Sequence, residues 1–184
     1  MIVVSAPSGA GKTTLVKYLL SKIPNLGFSV SATSRPQRNK EVNGKDYHFF
    51  SKNSFEDKIR NEEFIEYEEV YPGVYYGTLR SEVEKLLNDN KIVVYDIDAI
   101  GGLNIKKLYP DKTLAIFIKP PTIKDLKERL IKRKTDSIKE IENRLSKSKF
   151  EISLAKQYDE IIINDNLESS KIKIEEIVSE FIFS

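Results

Sequence analysis

Val3-Val4-Ser5-Ala6-Pro7-Ser8-Gly9-Ala10-Gly11-Lys12-Thr13-Thr14-Leu15 runs from an apolar stretch into a glycine-rich loop and then into a lysine-led helix. Strand, loop and helix in that order make a phosphate cradle. Gly9 and Gly11 let backbone N–H groups turn inward with no Cβ in the way, and a helix starting near Lys12 aims the positive end of its dipole at the same point. In this reading Ala6, Pro7, Ser8, Gly9, Ala10, Gly11, Lys12, Thr13 and Thr14 wrap the phosphates of a nucleoside triphosphate. Lys12 reaches the β- and γ-phosphates, and the Thr13 hydroxyl ligates Mg²⁺. The stretch departs from the P-loop pattern G-x-x-x-x-G-K-[ST] at Ala6, which stands where the first Gly belongs. That position ends a strand, where a negative φ accommodates Ala.

A chain of 184 residues supports one main domain with room for a small inserted lobe, not two full domains. Lys and Arg number 30 against 28 Asp and Glu, so a net charge of +2 gives no general surface for nucleic acid or membrane. Anionic partners must be met locally. With no Cys there is no disulfide frame and no thiolate metal site, which fits a reducing compartment. The first residues enter a strand without a basic leader, and no run approaches the roughly 20 apolar residues that span a bilayer. A soluble, cytoplasmic protein is expected.

Ile2 to Val4, Ile92 to Tyr95, Leu114 to Ile118 and Ile161 to Ile163 are β-branched-rich and do not alternate, as strands covered on both faces of a parallel sheet require. Helical spacing links Leu15, Leu19 and Ile23, then Ile123, Leu126 and Leu130, then Ile138, Ile141 and Leu145. A last helix carries Ile174, Ile177, Val178, Phe181 and Ile182. The alternation of strand and helix predicts an α/β domain. From about Phe28 to Thr78 the pattern changes: Ser29 to Ser31, Tyr47 to Phe50, Phe64 to Val70 and Val74 to Gly77 are short and aromatic, which predicts a small antiparallel lobe. Ser54-Phe55-Glu56-Asp57 fits a capping box that opens a helix through about Asn61. Five of the nine tyrosines fall in this lobe, so it has an aromatic core of its own, or phenols facing a ligand, or both.

Ser31-Ala32-Thr33-Ser34-Arg35-Pro36-Gln37-Arg38 is the best candidate for the second substrate's phosphate. Pro36 restrains a turn between two arginines whose guanidiniums can fork onto phosphate oxygens, which Lys cannot imitate. Read alone, such a pair is as well explained as a solvated surface.

It does not stand alone. Val30 to Arg38, then Glu41-Val42-Asn43-Gly44-Lys45-Asp46-Tyr47-His48-Phe49, Glu63-Phe64-Ile65-Glu66-Tyr67 and Tyr75-Tyr76-Gly77-Thr78 closely resemble the guanylate kinase family. The resemblance continues through Asp96-Ile97-Asp98, Pro120-Pro121, Leu130 to Thr135 and Tyr158-Asp159 to Asn164-Asp165, nearly the whole chain. It implies a P-loop NTPase three-layer α/β fold with a parallel central sheet, an inserted small mixed or antiparallel GMP-binding lobe and a helical lid. The implied boundaries are a core of about 1–30, 79–128 and 145–184, a lobe of about 31–78 and a lid of about 129–144, all within one domain.

The implied reaction is Mg²⁺-dependent transfer of the ATP γ-phosphoryl group to GMP, and to dGMP, in purine nucleotide metabolism. By motif position Arg35, Arg38, Tyr47 and Tyr76 hold the GMP phosphate. Ser31, Glu66 and Thr78 read the guanine, with Asp98 beside it. A carboxylate such as Glu66 can accept both the N1–H and the exocyclic amine of guanine, an edge adenine lacks. Arg129, Arg133 and Arg144 form the lid's phosphate clamp with Lys12, since charge on a loose transition state is stabilised by cations more than by a general base. Closure of that lid excludes water, and an open form must therefore exist. Asp96 supports Mg²⁺ through water or acts as a structural acid, and Asn164 lies near the adenine. The sole histidine, His48, is read as structural or solvated.

Two positions depart from the family pattern: Lys134 replaces the lid glycine, and Ile100 replaces a polar residue before Gly101-Gly102, where the glycines suggest a close backbone approach near the acceptor site. Two other readings stand beside the enzyme. Guanylate-kinase-like domains of scaffold proteins bind peptides without catalysis, and a related kinase could take another nucleotide. The intact Gly9, Gly11, Lys12 and Thr13 favour catalysis. Oligomeric state is not readable from the sequence.

Overall fold

The computed structural model describes residues 1–132 and 137–183. Arg133 and Lys134, the clamp arginine and the lid-turn substitution, lie outside the described residues. Nine strands follow in order: β1 (Ile2–Ser5), β2 (Leu26–Ser29), β3 (Ala32–Thr33), β4 (His48–Phe49), β5 (Phe64–Tyr71), β6 (Val74–Leu79), β7 (Ile92–Asp96), β8 (Leu114–Lys119) and β9 (Glu160–Ile163). The helices are α1 (Lys12–Lys22), α2 (Lys52–Arg60), α3 (Arg80–Asn88), α4 (Ala99–Leu108), α5 (Ile123–Lys132), α6 (Ile138–Leu154) and α7 (Leu167–Phe183). The chain forms two units, Met1–Pro24 with Asp96–Ser184, and Asn25–Tyr95.

In the first unit β1, β8 and β9 run parallel, with Ile2 opposite Leu114 and Ile116 opposite Glu160. All of β1 and nearly all of β8 is buried, as strands between two helical layers must be. β9 corrects the expectation of two-sided cover: Ile162 is buried, whereas Ile161 and Ile163 are 37% and 58% exposed. It lies outermost of the three, so one face carries little. Leu126, Leu130 and Ile141 join α5 and α6 in one cluster with Leu145 against it. Ile138, expected on that face, is 79% exposed because it occupies the first position of α6. Ser137 and Glu140 close a capping box at this helix start. Gly102 makes a close approach, and the groups it approaches are Ser5 and Tyr158. A Cβ there would stand 2.5 Å from the Tyr158 hydroxyl and 2.6 Å from Ser5 Oγ.

In the second unit β2 pairs parallel with β7, Leu26 opposite Ile92. The strand expected at Ser29 to Ser31 is thus two: β2 ends at Ser29 and β3 begins at Ala32. A four-stranded sheet follows the order β4-β3-β6-β5. It is mixed, because β3 and β4 are parallel while β3–β6 and β5–β6 are antiparallel. Ala32, Phe55, Phe64 and Leu79 form its buried core, with Phe50, Ile59 and Tyr75 packed on it. Phe55 stacks on Phe64 at 4.4 Å and on Tyr75 at 5.5 Å, so the lobe does have its own aromatic core. The capping box expected at Ser54 is corrected: Ser51 is the cap, its hydroxyl accepting the Ser54 N–H at 3.1 Å. No described helix is long and apolar enough to cross a membrane.

Candidate active site

In the first unit the turn between β1 and α1 is built around Gly11, whose φ of 102° lies in the left-handed region. Its missing Cβ is also required by space: the Asn164 amide nitrogen would lie 2.2 Å from it. No side chain caps α1, so the first-turn N–H groups and the positive end of the dipole face the loop. The Lys12 ammonium is in contact with the Asp96 carboxylate, at the end of β7, and lies 3.3 Å from the Ile97 carbonyl oxygen. Thr13 Oγ1 donates to the other Asp96 oxygen at 3.2 Å. Lys12, Thr13 and Asp96, expected to act together, are together.

Side chains from distant segments hold the loop. Asn164, just beyond β9, donates its amide to the Ala10 carbonyl at 2.7 Å. Arg129 donates to the Asn164 carbonyl at 2.8 Å and approaches that of Ala10 at 3.5 Å. Arg144 donates to Ser8 Oγ at 2.6 Å. Asp98 caps α4, accepting from the N–H groups of Ile100 at 2.9 Å and Gly101 at 3.0 Å. The main chain at Asp98 is pinned by Ser5 Oγ at 3.0 Å, and Tyr158 donates to the Ala99 carbonyl at 2.8 Å. Burial pushes the Tyr158 phenol well above its ordinary range. Glu151 of α6 is buried in the same unit, 3.8 Å from Lys147. Desolvation raises its carboxyl to about 7, Asp98 adding to the rise while Lys147 and Lys12 oppose it.

The second unit gathers the other expected set. Glu66, on β5, is 8% exposed and accepts a hydrogen bond from Thr78 Oγ1 on β6 at 2.7 Å. The two residues are register partners across the β5–β6 pair, so their side chains share a face. Ser31 is buried. Tyr47 meets Tyr76 edge-on at 5.8 Å, and the Arg35 guanidinium lies 5.0 Å from the Tyr47 ring centre. Arg35 Nε donates to the Tyr76 hydroxyl at 3.1 Å. Arg38 is exposed. His48 pairs with Glu82 at 3.2 Å on the same unit.

One residue the sequence reading did not single out organises this group. Glu41 takes Arg35 bidentately, Nη1 to Oε2 at 2.7 Å and Nη2 to Oε1 at 2.6 Å. The fork expected to face a phosphate is therefore occupied by a carboxylate. Arg35 in turn holds the Glu41 carboxyl below its usual range. The sequence Arg35-x-x-Arg38-x-x-Glu41 shows an acid near both cations along the chain, but no regular periodicity in that spacing brings it onto Arg35.

The guanylate kinase family profile matches residues 1–181. Guanylate kinase from Bacteroides fragilis is 48% identical over 182 residues, which is 99% of this chain and 89% of that protein. The Porphyromonas gingivalis guanylate kinase is 47% identical over 183 residues, 99% of this chain and 97% of that one. Among solved structures, guanylate kinase from Anaplasma phagocytophilum superposes with a TM-score of 0.80 at 30% identity, covering 98% of this chain and 84% of that one.

Proposed function

The chain belongs to the guanylate kinase family, and on that premise we propose that it transfers the γ-phosphoryl group of ATP to GMP, with dGMP as a second acceptor. The observation that carries the choice of acceptor is the Glu66–Thr78 pair. A carboxylate is the side-chain group that can accept from both the N1–H and the amino group of guanine, and Thr78 orients this one across the β5–β6 pair. AMP would leave that carboxylate facing an edge with no matching pair of donors, a mismatch worth on the order of 10⁴ in kcat/KM where a site is built for the missing group.

In this reading the Gly9–Gly11 turn and the α1 N-terminus seat the ATP phosphates, and Lys12 exchanges Asp96 for the β- and γ-phosphates. Arg129 and Arg144, with Arg133, stabilise charge on the transferring group. Arg38, Tyr47, Tyr76 and Arg35 seat the acceptor's phosphate, while Ser31 and Asp98 complete the guanine contacts. The oxygens of Thr13 and Asp96, 3.2 Å apart, form the donor set a hard cation takes. Mg²⁺ would be held by Thr13 directly and by Asp96 through water, and when bound it draws charge off the phosphate oxygens. Asn164 lies near the adenine and braces the loop through its bond to Ala10. The division into core, GMP lobe and lid belongs to the same proposal, as does a cytoplasmic setting in purine nucleotide metabolism.

The test is ADP formation with GMP, dGMP, AMP, CMP and UMP as acceptors. Turnover with GMP and dGMP far above the rest is expected. Equal turnover with AMP would defeat the guanine assignment, and no turnover with any acceptor would return the peptide-binding reading.

A further inference from the structure

Arg35 has five N–H groups, and four of them are already directed. Nε serves Tyr76 at 3.1 Å, Nη1 serves Pro36 O at 3.0 Å and Glu41 at 2.7 Å, and Nη2 serves Glu41 at 2.6 Å. One Nη2–H remains. The guanidinium also contacts the rings of Tyr47 at 5.0 Å and Phe49 at 5.4 Å.

Glu41 does more than neutralise this side chain. Its Oε2 also accepts the backbone N–H of Arg38 at 2.8 Å, and its own N–H donates to the Arg38 carbonyl at 3.1 Å. The Gln37 side chain bonds the Glu41 carbonyl. The loop from Arg35 to Glu41 is thus closed on Glu41 from three residues, which fixes the backbone that carries the carboxylate beside Arg35. Such charge-assisted, bidentate bonding fixes the plane of the guanidinium as well as its position.

We propose that Glu41 is the positioning residue of the acceptor's phosphate seat. It does not touch the nucleotide. It aims the remaining Arg35 N–H and the Tyr76 hydroxyl, and holds the backbone that bears Arg38, so that a monophosphate meets donors ordered before it arrives. A seat ordered in advance binds more tightly because less freedom is lost on binding. The inference rests on the reading of the second unit as the GMP lobe.

The experiment compares wild type, Glu41→Gln, Glu41→Asp, Arg35→Lys and the double variant Arg35→Lys/Glu41→Gln. Calorimetric Kd for GMP, steady-state kinetics and thermal melting are measured for each. Glu41→Gln should raise Kd and KM for GMP about tenfold or more, as loss of an outer-sphere partner of a ligand-binding group does. KM for ATP should be unchanged, and kcat at saturating GMP should stay within about threefold. The double variant should bind GMP no worse than Arg35→Lys alone, because both act through one group. If Glu41→Gln does not fold, Glu41→Asp carries the same comparison, since a side chain one methylene shorter cannot reach Arg35 and Arg38 together. Unchanged or tighter GMP binding in a folded Glu41 variant, or losses that add in the double variant, would overturn the inference. Wild type that fails to bind GMP defeats instead the reading on which it rests.

Discussion

Asn164 is hydrogen-bonded through its amide to the carbonyl of Ala10, 154 residues earlier, at 2.7 Å in a buried setting. The bond ties the glycine-rich loop to the residue that follows the last strand. Asn164→Ala removes it and leaves the Ala10 oxygen with only the long approach of Arg129 at 3.5 Å. Unfolding in urea should show a loss of about 1–3 kcal/mol, the cost of stranding a buried acceptor. KM for ATP should rise while KM for GMP holds, and a variant as stable as wild type with unaltered ATP kinetics would show that the loop is held by other means.

Lys12→Met should lower kcat by about 10² or more, through loss of charge stabilisation at the transferring phosphoryl group. The far-ultraviolet circular dichroism spectrum should not change, because Lys12 contacts Asp96 at the rim of the loop and packs in no core cluster. Wild-type turnover in this variant would remove Lys12 from the chemistry.

Glu66→Ala should reduce kcat/KM for GMP by about 10² or more and leave ATP binding as it was. The affected group is the acceptor pair made by Glu66 with Thr78, and it belongs to the second unit alone. Discrimination between GMP and AMP should shrink in the same variant. Equal weakening of both nucleotides would mean that Glu66 supports the fold rather than reading a base.

Glu151 gives a pH prediction whose sign follows from its burial. Its carboxyl is raised in the folded state from 4.5 to about 7, so between these values the folded chain binds more protons than the unfolded one. Stability contributed by this residue is therefore full below about pH 4.5, falls as pH rises, and is lost above about 7. Glu151→Gln should remove this slope. The variant should gain on wild type by up to about 3 kcal/mol between pH 4 and pH 8 in urea unfolding, because each tenfold change in proton affinity is worth roughly 1.4 kcal/mol. A difference that does not vary with pH would contradict the assignment.

The central strands and the loop were legible because their signals are local. Ile2 to Val4 and Leu114 to Ile118 are apolar runs that only a doubly covered strand explains, and Gly9, Gly11, Lys12 and Thr13 sit within five residues of one another. What escaped depends on where the chain turns. Ser51 and Ser54 are both reasonable caps, and Ser51 wins because its extended backbone, φ −65° and ψ 158°, points its hydroxyl at the Ser54 N–H. β2 was displaced because Gly27 interrupts its apolar pattern, and its pairing with β7 lies far along the chain. The grouping of Lys12, Thr13 and Asp96 was readable from motif position. That Asn164 would brace the loop was not, since a side chain committed to a main-chain carbonyl leaves no trace in spacing. Glu41 sits six residues from Arg35, a separation that neither helix nor strand periodicity brings together.

β1 pairs in parallel with β8, whose first residue comes more than a hundred positions later. The hairpin of β5 and β6, by contrast, closes across a turn of two residues. On the ribosome these two sheets therefore mature in opposite order to their first appearance. The hairpin can zip up as it emerges, whereas Ile2, Val3 and Val4 lack their β8 partner until Leu114 to Phe117 have been synthesised. Nascent chains stalled before that point should be held by chaperones through their first few residues, and the phosphate loop attached to them goes without its Asn164 brace until most of the chain has been made.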